Sequence, residues 1–232
     1  ACGKEATKAW RQAALSRANL PAELAHELAW PLLREAIHLL DEGATPGQID
    51  RELQRFGFVQ GPFARSDRHG MEAVFRRQAS LANGEDWVTY SPTLDLMADE
   101  GRTGGADAPG WYRHASDGRF TFEPEVDRLL QASATFQRCA RAPIDDEVVV
   151  ERCLTAAING AAHVLEARPD LSPALVDAVW TAQLGFPKWR GGPLYMARTH
   201  ACDPLACLER WIRVRNTAGV AAPLLRRIVA RP

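Results

Sequence analysis

The feature that most constrains this chain is an internal repeat. Leu39-Leu40-Asp41-Glu42, Thr45-Pro46, Ile49-Asp50, Gly57-Phe58 and Gly61-Pro62-Phe63 follow one another in the first half. About 127 residues later come Val164-Leu165-Glu166, Ser172-Pro173, Val176-Asp177, Gly185-Phe186 and Gly192-Pro193-Leu194. Five features recur in one order, with only small insertions between them. A pattern of this length repeated once describes one supersecondary unit used twice. The chain is therefore read as a tandem duplicated helical domain, with superposable units at roughly residues 20–100 and 140–215.

Each copy has the same physical reading. A long helix ends and a short loop follows; then Thr45 or Ser172 offers a hydroxyl cap to a new helix whose first position is Pro46 or Pro173. Gln48 stands three residues after Thr45, the spacing of a capping box in which its side chain reaches back to the cap. Gly57 and Gly185 are expected to end the capped helices in a left-handed conformation, with Phe58 and Phe186 returning the chain to the core. The Gly61-Pro62 and Gly192-Pro193 pairs turn it onward.

Hydrophobic spacing supports helices throughout. Leu24, Leu28, Leu32, Ala36 and Leu39/Leu40 form one stripe that stops at Gly43, and Pro31 inside it is expected to kink the helix. A second stripe, Val150, Leu154, Ala157/Ile158, Ala161 and Val164/Leu165, follows Asp145-Asp146-Glu147, acids that suit the positive end of a helix dipole. A third runs through Val126, Leu129/Leu130, Ser133 and Phe136 after Pro124. No segment alternates long enough to force a strand, so the fold is all-α. Glycine and proline crowd Gly101–Gly118, which reads as an irregular connector. The resulting division is a lead-in at 1–19, a first repeat with connector at 20–118, and a second repeat at 119–232.

Composition narrows the partners. With 28 basic and 29 acidic residues the net charge is −1, which lacks the electrostatic footprint that nucleic acid or an anionic membrane asks for, so neither is an expected partner. No apolar run approaches the roughly 20 residues that span a bilayer. The start, with Lys4, Glu5 and Lys8, has no signal-peptide core, and a cytoplasmic location is expected. Cys2, Cys139, Cys153, Cys202 and Cys207 are odd in number and form no C-x-x-C pair, so they read as reduced thiols. Beginning at Ala1, the sequence fits either initiator removal or a piece of something longer.

Catalytic signatures are missing from the sequence. None of the 17 glycines stands two positions from another, which excludes G-x-G-x-x-G; the only Gly-Lys pair is Gly3-Lys4, so there is no phosphate loop. No serine has glycine two residues before and after it. His26-Glu27 begins like a zincin motif, but Trp30 occupies the place of the second histidine. His200, Cys202 and Cys207 straddle Asp203-Pro204 without a second ligand arm. Ser66-Asp67-Arg68-His69 holds the residue types of a hydrolytic triad, yet adjacency argues for a turn, with Asp67 as a helix cap. Asp95, Asp99 and Glu100 read as a solvated helix face, and Arg226-Arg227 as charges near a helix C-terminus. No catalytic residue, metal site or bound cofactor is expected.

With the repeat in view, the sequence resembles the C-terminal helical part of the 3-hydroxyacyl-CoA dehydrogenase family, in the tandem form found in bifunctional enoyl-CoA hydratase/3-hydroxyacyl-CoA dehydrogenase proteins of fatty acid β-oxidation. The likeness runs from about Leu24 to Trp211. One stretch carrying it is Arg34-Glu35-Ala36 through Leu40-Asp41-Glu42-Gly43-Ala44, Ile49-Asp50, and Gly57-Phe58-Val59-Gln60-Gly61-Pro62-Phe63 to Ser66-Asp67 and Gly70-Met71-Glu72. Another is Gly110-Trp111-Tyr112. The last is Glu151-Arg152-Cys153-Leu154, Ile158-Asn159, Val164-Leu165-Glu166, Asp177 and Leu184-Gly185-Phe186-Pro187 to Gly191-Gly192-Pro193.

The resemblance implies a 6-phosphogluconate dehydrogenase C-terminal-like fold, with Gly57, Phe58, Gly61, Pro62, Asp67, Gly70, Gly185, Phe186, Gly191, Gly192 and Pro193 as structural motif residues. It also implies that NAD and the catalytic His/Glu pair belong to an N-terminal Rossmann domain that this sequence lacks. Expected partners are that domain, in the same polypeptide or as a separate subunit, and acyl-CoA in the assembled enzyme. His26 aligns with a family asparagine near the active site and is the one substrate-binding candidate, while Gly101–Gly105 lacks the lysines common before Gly-Trp-Tyr. Family members with one copy of the domain dimerise through it; two copies in one chain imply a monomer with an internal pseudo-dimer. The alternative is a free-standing, non-catalytic interaction module derived from the family.

Overall fold

The computed structural model describes residues 22–82, 90–105, 108–114, 120–121, 123–199, 203–215 and 221–229. Cys2, Lys4, Glu5, Lys8, Gly118, His200 and Cys202 lie outside the described residues. Among those described the fold is all-α: α1 (Ala22–Glu42), α2 (Pro46–Phe56), α3 (Pro62–His69), α4 (Glu72–Ala82), α5 (Pro92–Asp99), α6 (Pro124–Gln137), α7 (Asp146–Ala167), α8 (Pro173–Ala182), α9 (Pro193–Thr199), α10 (Pro204–Arg215) and α11 (Pro223–Val229). A 3-10 turn covers Lys188–Arg190. Between α5 and α6 a short ribbon pairs β1 (Arg113–His114) antiparallel to β2 (Phe120–Thr121), with Arg113 opposite Thr121 and His114 opposite Phe120. Two residues per strand are too few to leave an alternating pattern in the sequence.

The first stripe lands where its spacing puts it: Leu24, Leu28, Leu32, Ala36, Leu39 and Leu40 are all at most 4% exposed. The second is buried at Leu154, Ala157, Ile158, Ala161, Val164 and Leu165 on α7, but at its start the buried residue is Val149, and Val150 is only half-buried. The third is buried through Val126, Leu129, Leu130 and Ser133 and fails at Phe136, which is 78% exposed near the end of α6. Helix α1 runs as one element through Pro31. That ring fits because residue 160 is glycine: a Cβ there would stand 2.2 Å from Pro31 Cγ. Helix α7 corrects one expectation, for at 22 residues it is long and apolar enough to cross a membrane; 67% of its most apolar window is buried inside the protein, as in a core helix.

The caps are partly as expected. Thr45 Oγ1 accepts the Gln48 amide at 3.1 Å, and Ser172 Oγ accepts that of Leu175 at 3.2 Å. The capping box is only half built, because Gln48 Nε2 turns away and donates to Ile144 O and to Asp146 Oδ1, both at 2.8 Å. Gly57 follows α2 directly with φ +123°, while Gly185, φ +75°, follows α8 only after Gln183 and Leu184. Phe58 and Phe186 are buried, with rings edge-to-face at 5.3 Å.

The chain forms two compact units that differ from its sequential halves. One holds Leu33–Arg55 and Gln60–Val150; the other holds Phe56–Val59, Glu151 onward, and the chain up to Leu32. In the first, Asp41 at the end of α1 accepts Ser91 Oγ (2.8 Å), Thr93 Oγ1 (2.7 Å) and Ser133 Oγ (3.2 Å), tying α1 to the start of α5 and to α6. In the second, Glu166 near the end of α7 accepts the Leu224 amide at the start of α11. Asp41 and Glu166 occupy matching places in the sequence repeat.

Candidate functional site

The motif glycines and aspartates make one arrangement twice. Asp50, buried on α2, accepts the Phe63 amide on Oδ1 at 3.0 Å and the Ala64 amide on Oδ2 at 2.8 Å. These are first-turn donors of α3, whose cap residue Gly61 has no side chain to satisfy them and whose first residue, Pro62, has no N–H. Asp177, buried on α8, accepts the Leu194 amide on Oδ1 and the Tyr195 amide on Oδ2, both at 2.9 Å, at the start of α9. Glycine is required beside each carboxylate. A Cβ on Gly61 would stand 2.2 Å from Asp50 Cγ, and one on Gly192 2.4 Å from Asp177 Cγ. The repeated Asp and Gly-Pro signals are thus two ends of one contact.

Burial works against ionisation at both. It pushes Asp50 up to about 6, opposed by the Ala64 and Phe63 amides and the Tyr112 hydroxyl. Asp177 is pushed up to about 7 by the same loss of water, opposed by the Leu194 and Tyr195 amides and by Arg198.

A third carboxylate extends the arrangement in the first unit only. Asp67 is fully buried and accepts the Trp111 amide at 2.8 Å and the Tyr112 amide at 2.9 Å, while its own carbonyl accepts from Gly105 N. A Cβ on Gly110 would stand 2.1 Å from Asp67 Oδ1. Tyr112 Oη then donates to Asp50 Oδ2 at 2.9 Å, so the Gly-Trp-Tyr segment links both carboxylates. Burial, then the Asp50 charge, raises the Tyr112 hydroxyl far above its usual range and keeps it a donor. Arg102 Nε donates to Gly110 O at 2.9 Å and its guanidinium faces Glu123, 3.7 Å away, closing the loop from behind.

These contacts correct the reading of Ser66–His69. The four residues form no turn but the interior and end of α3, and Asp67 caps no helix; it holds a loop whose amides lie 44 and 45 residues further along the chain. Ser66 is buried and donates to Phe63 O at 2.9 Å, and His69 is exposed. Gly70 ends α3 with φ +82°.

His26 sits exposed in the second turn of α1, beside Glu27, which faces Arg168 at 3.8 Å. Asp95, Asp99 and Glu100 lie on α5 and just after it; burial and then Asp99 raise Asp95, and Glu100 pairs with Arg128 at 2.9 Å. Arg226 on α11 meets Glu209 at 3.3 Å. Among the described residues no group of three or more His, Cys, Asp or Glu is placed to hold a metal; Cys139 is exposed, and Cys153 and Cys207 are buried. The described residues also do not fit a dinucleotide. Their only strands are two residues long and antiparallel, whereas a pyrophosphate cradle needs a strand, a glycine turn and a helix N-terminus in succession.

Sequence reasoning singled out Asp50, Asp177 and Asp67 but missed what they do. Their common signal is an aspartate answered by a distant glycine two residues or fewer before a pair of amide donors.

Comparison with known proteins places this geometry. The family described as 3-hydroxyacyl-CoA dehydrogenase, C-terminal domain, matches residues 24–114, a span that contains Asp50, Asp67 and Gly110-Trp111-Tyr112. The chain is 30% identical to a peroxisomal bifunctional enzyme of Danio rerio over 92% of its own length and 32% of that protein's. It is 24% identical to the fatty acid oxidation complex subunit alpha of Psychrobacter arcticus, over 83% of this chain and 28% of that one. The dehydrogenase part of multifunctional enzyme 1 from C. elegans shares the fold, with a TM-score of 0.70 at 22% identity over 90% of this chain and 48% of that structure. The chain therefore spans about a third or less of the curated relatives it matches. Residues 24–114 carry the 3-hydroxyacyl-CoA dehydrogenase C-terminal domain, with its 6-phosphogluconate dehydrogenase C-terminal-like fold, and the chain as a whole is related to part of the peroxisomal bifunctional and multifunctional β-oxidation enzymes.

Proposed function

We propose that this chain is the substrate-side and assembly part of an NAD-dependent 3-hydroxyacyl-CoA dehydrogenase of fatty acid β-oxidation, built from two copies of the helical domain. The observation that carries the reading is the family match over residues 24–114, the span where the Asp50, Asp67 and Tyr112 contacts hold the motif segments in place. NAD, as hydride acceptor, belongs to a Rossmann domain outside this sequence, which is the main partner; the sequence, without a G-x-G-x-x-G unit, supports that division. The chain's own residues shape the acyl-CoA side of the cleft, with His26 at its edge in the second turn of α1. A cytoplasmic location belongs to the same proposal, supported by five cysteines that form no C-x-x-C pair.

The test is an absorbance assay for NADH with 3-hydroxyacyl-CoA. The polypeptide as its source makes it is expected to reduce NAD, and the 232-residue chain alone to reduce none and to show no heat of NAD binding. NADH formation by neither sinks the reading in favour of a non-catalytic module; tight NAD binding by the chain alone sinks the division of labour. In solution the chain is expected to scatter light as a monomer of 25.6 kDa, and a stable dimer at micromolar concentration overturns the pseudo-dimer.

A further inference from the structure

Three of the most exposed large apolar side chains among the described residues belong to one compact unit: Val59 at 80%, Trp189 at 73% and Tyr195 at 48%. Each rests on a glycine of positive φ. Val59 donates its amide to Gly185 O at 2.9 Å, and its Cβ lies 3.3 Å from where a Gly185 Cβ would be. Trp189 Cζ2 lies 3.5 Å from the same point on Gly57, and the Tyr195 ring comes within 2.6 Å of it on Gly191. The Arg190 guanidinium is stacked 4.1 Å from the Trp189 ring centre and 4.0 Å from that of Phe56.

An indole held this way loses little freedom when it is covered, and Trp and Tyr are the side chains that most often dominate interface energies. The core beneath is complete without them, since Phe58, Phe186 and Trp180 already pack together with ring centres 5.3 and 6.1 Å apart. Lys188 and Arg198, both exposed, and Arg190 give the patch a cationic rim. A second copy docking on a two-fold axis would bring these cations against each other, which argues against self-association. The relatives point to another occupant, because each carries two thirds or more of its length beyond the part this chain matches.

We propose that the Val59–Trp189–Tyr195 patch seats polypeptide of the same protein lying outside this sequence, through an apolar socket bordered by carboxylates that face Lys188 and Arg198. The inference rests on reading this chain as part of a longer dehydrogenase. Hydroxyl-radical footprinting read by mass spectrometry tests it, comparing the protein purified as its source makes it with the 232-residue chain. Labelling of Trp189 and Tyr195 is expected to fall severalfold in the source protein, and Trp189→Ser there to restore labelling of Tyr195. Equal labelling in both overturns the seat, as does protection of the 232-residue chain that grows with its own concentration or on adding phosphatidylserine vesicles. The two readings fail separately: NADH formation with an unprotected Trp189 removes the seat alone, whereas protection without NADH formation removes the dehydrogenase assignment.

Discussion

The two aspartate clamps begin alike and end differently. Asp50 and Asp177 each take two amides of the helix that follows, yet among the described residues only Asp50 receives a further donor, Tyr112 Oη, from a loop that Asp67 holds in turn. Four residues after Phe63 stands Asp67; four residues after Leu194, at the matching place, stands Arg198. Where one unit has a carboxylate that holds a loop, the other has a cation that faces solvent and lowers Asp177 from a distance. The same helix start thus serves as a platform for a loop in one unit and as a bare structural joint in the other, and it is the platform that the family match covers.

The largest difference should come from the position at which the two units differ. Asp67→Ala leaves the buried Trp111 and Tyr112 amides without this acceptor, and at about 1–3 kcal/mol for each orphaned donor it should cost about 2–6 kcal/mol. Arg198→Ala, on an exposed side chain, should stay within about 0.5 kcal/mol. Urea unfolding of the two variants measures the contrast; comparable losses would mean that one unit depends on its cation as the other does on its acid.

Next in size are the glycines at the clamps. Gly61 has an ordinary φ of −72°, so Gly61→Ala is resisted by the Asp50 contact alone, whereas Gly192, at φ +117°, adds backbone strain to the Asp177 contact. Both substitutions are expected to destabilise by about 2–4 kcal/mol, with Gly192→Ala the worse by roughly 1 kcal/mol. Reversal of that order by thermal unfolding would show that the carboxylate contact outweighs the strain.

The clamps also differ in the pH window over which they act. Each folded-state pKa is raised above the unfolded value of 3.8, so the folded chain binds the proton more tightly than the unfolded one. Stability from this source is fully present below pH about 4; it is lost as pH rises to about 6 for Asp50 and to about 7 for Asp177. Asp177→Asn cannot titrate. Between pH 4.5 and 7.5 the wild type should therefore lose urea midpoint relative to Asp177→Asn; parallel profiles would show that the two amides hold this carboxylate ionised throughout.

These contrasts mark what the sequence could and could not display. Helix α1 was legible because six buried residues repeat at helical spacing, and α2 and α8 because a hydroxyl and a proline announce their starts. The glycine at each clamp was legible as punctuation but not as a consequence of Asp50 or Asp177, because that needs the fold to bring an earlier helix against it. Asp67 was misread for the same reason: beside Ser66 and His69 it looks like local chemistry, while its partners are 44 and 45 residues away. Gln48 shows the limit of local rules, since a distant carbonyl and Asp146 outcompete the cap it was spaced to reach.

The smallest effect is the most selective. Tyr112→Phe removes the one hydrogen bond that the first clamp has and the second lacks, and keeps the ring that is buried with it. One hydrogen bond to a buried carboxylate is worth about 1.5–3 kcal/mol, and Asp50 retains its two amides, so a loss of about 1.5 kcal/mol is expected. Removing a donor that favours the ionised form also raises Asp50 further, so the pH at which its stabilising contribution is lost should move upward, toward that of Asp177. Stability measured from pH 4.5 to 7.5 for Tyr112→Phe and for Tyr112→Phe combined with Asp50→Asn separates the two effects. If the single variant keeps the wild-type pH profile, Tyr112 is only a packing residue, and the difference between the clamps lies entirely in Asp67.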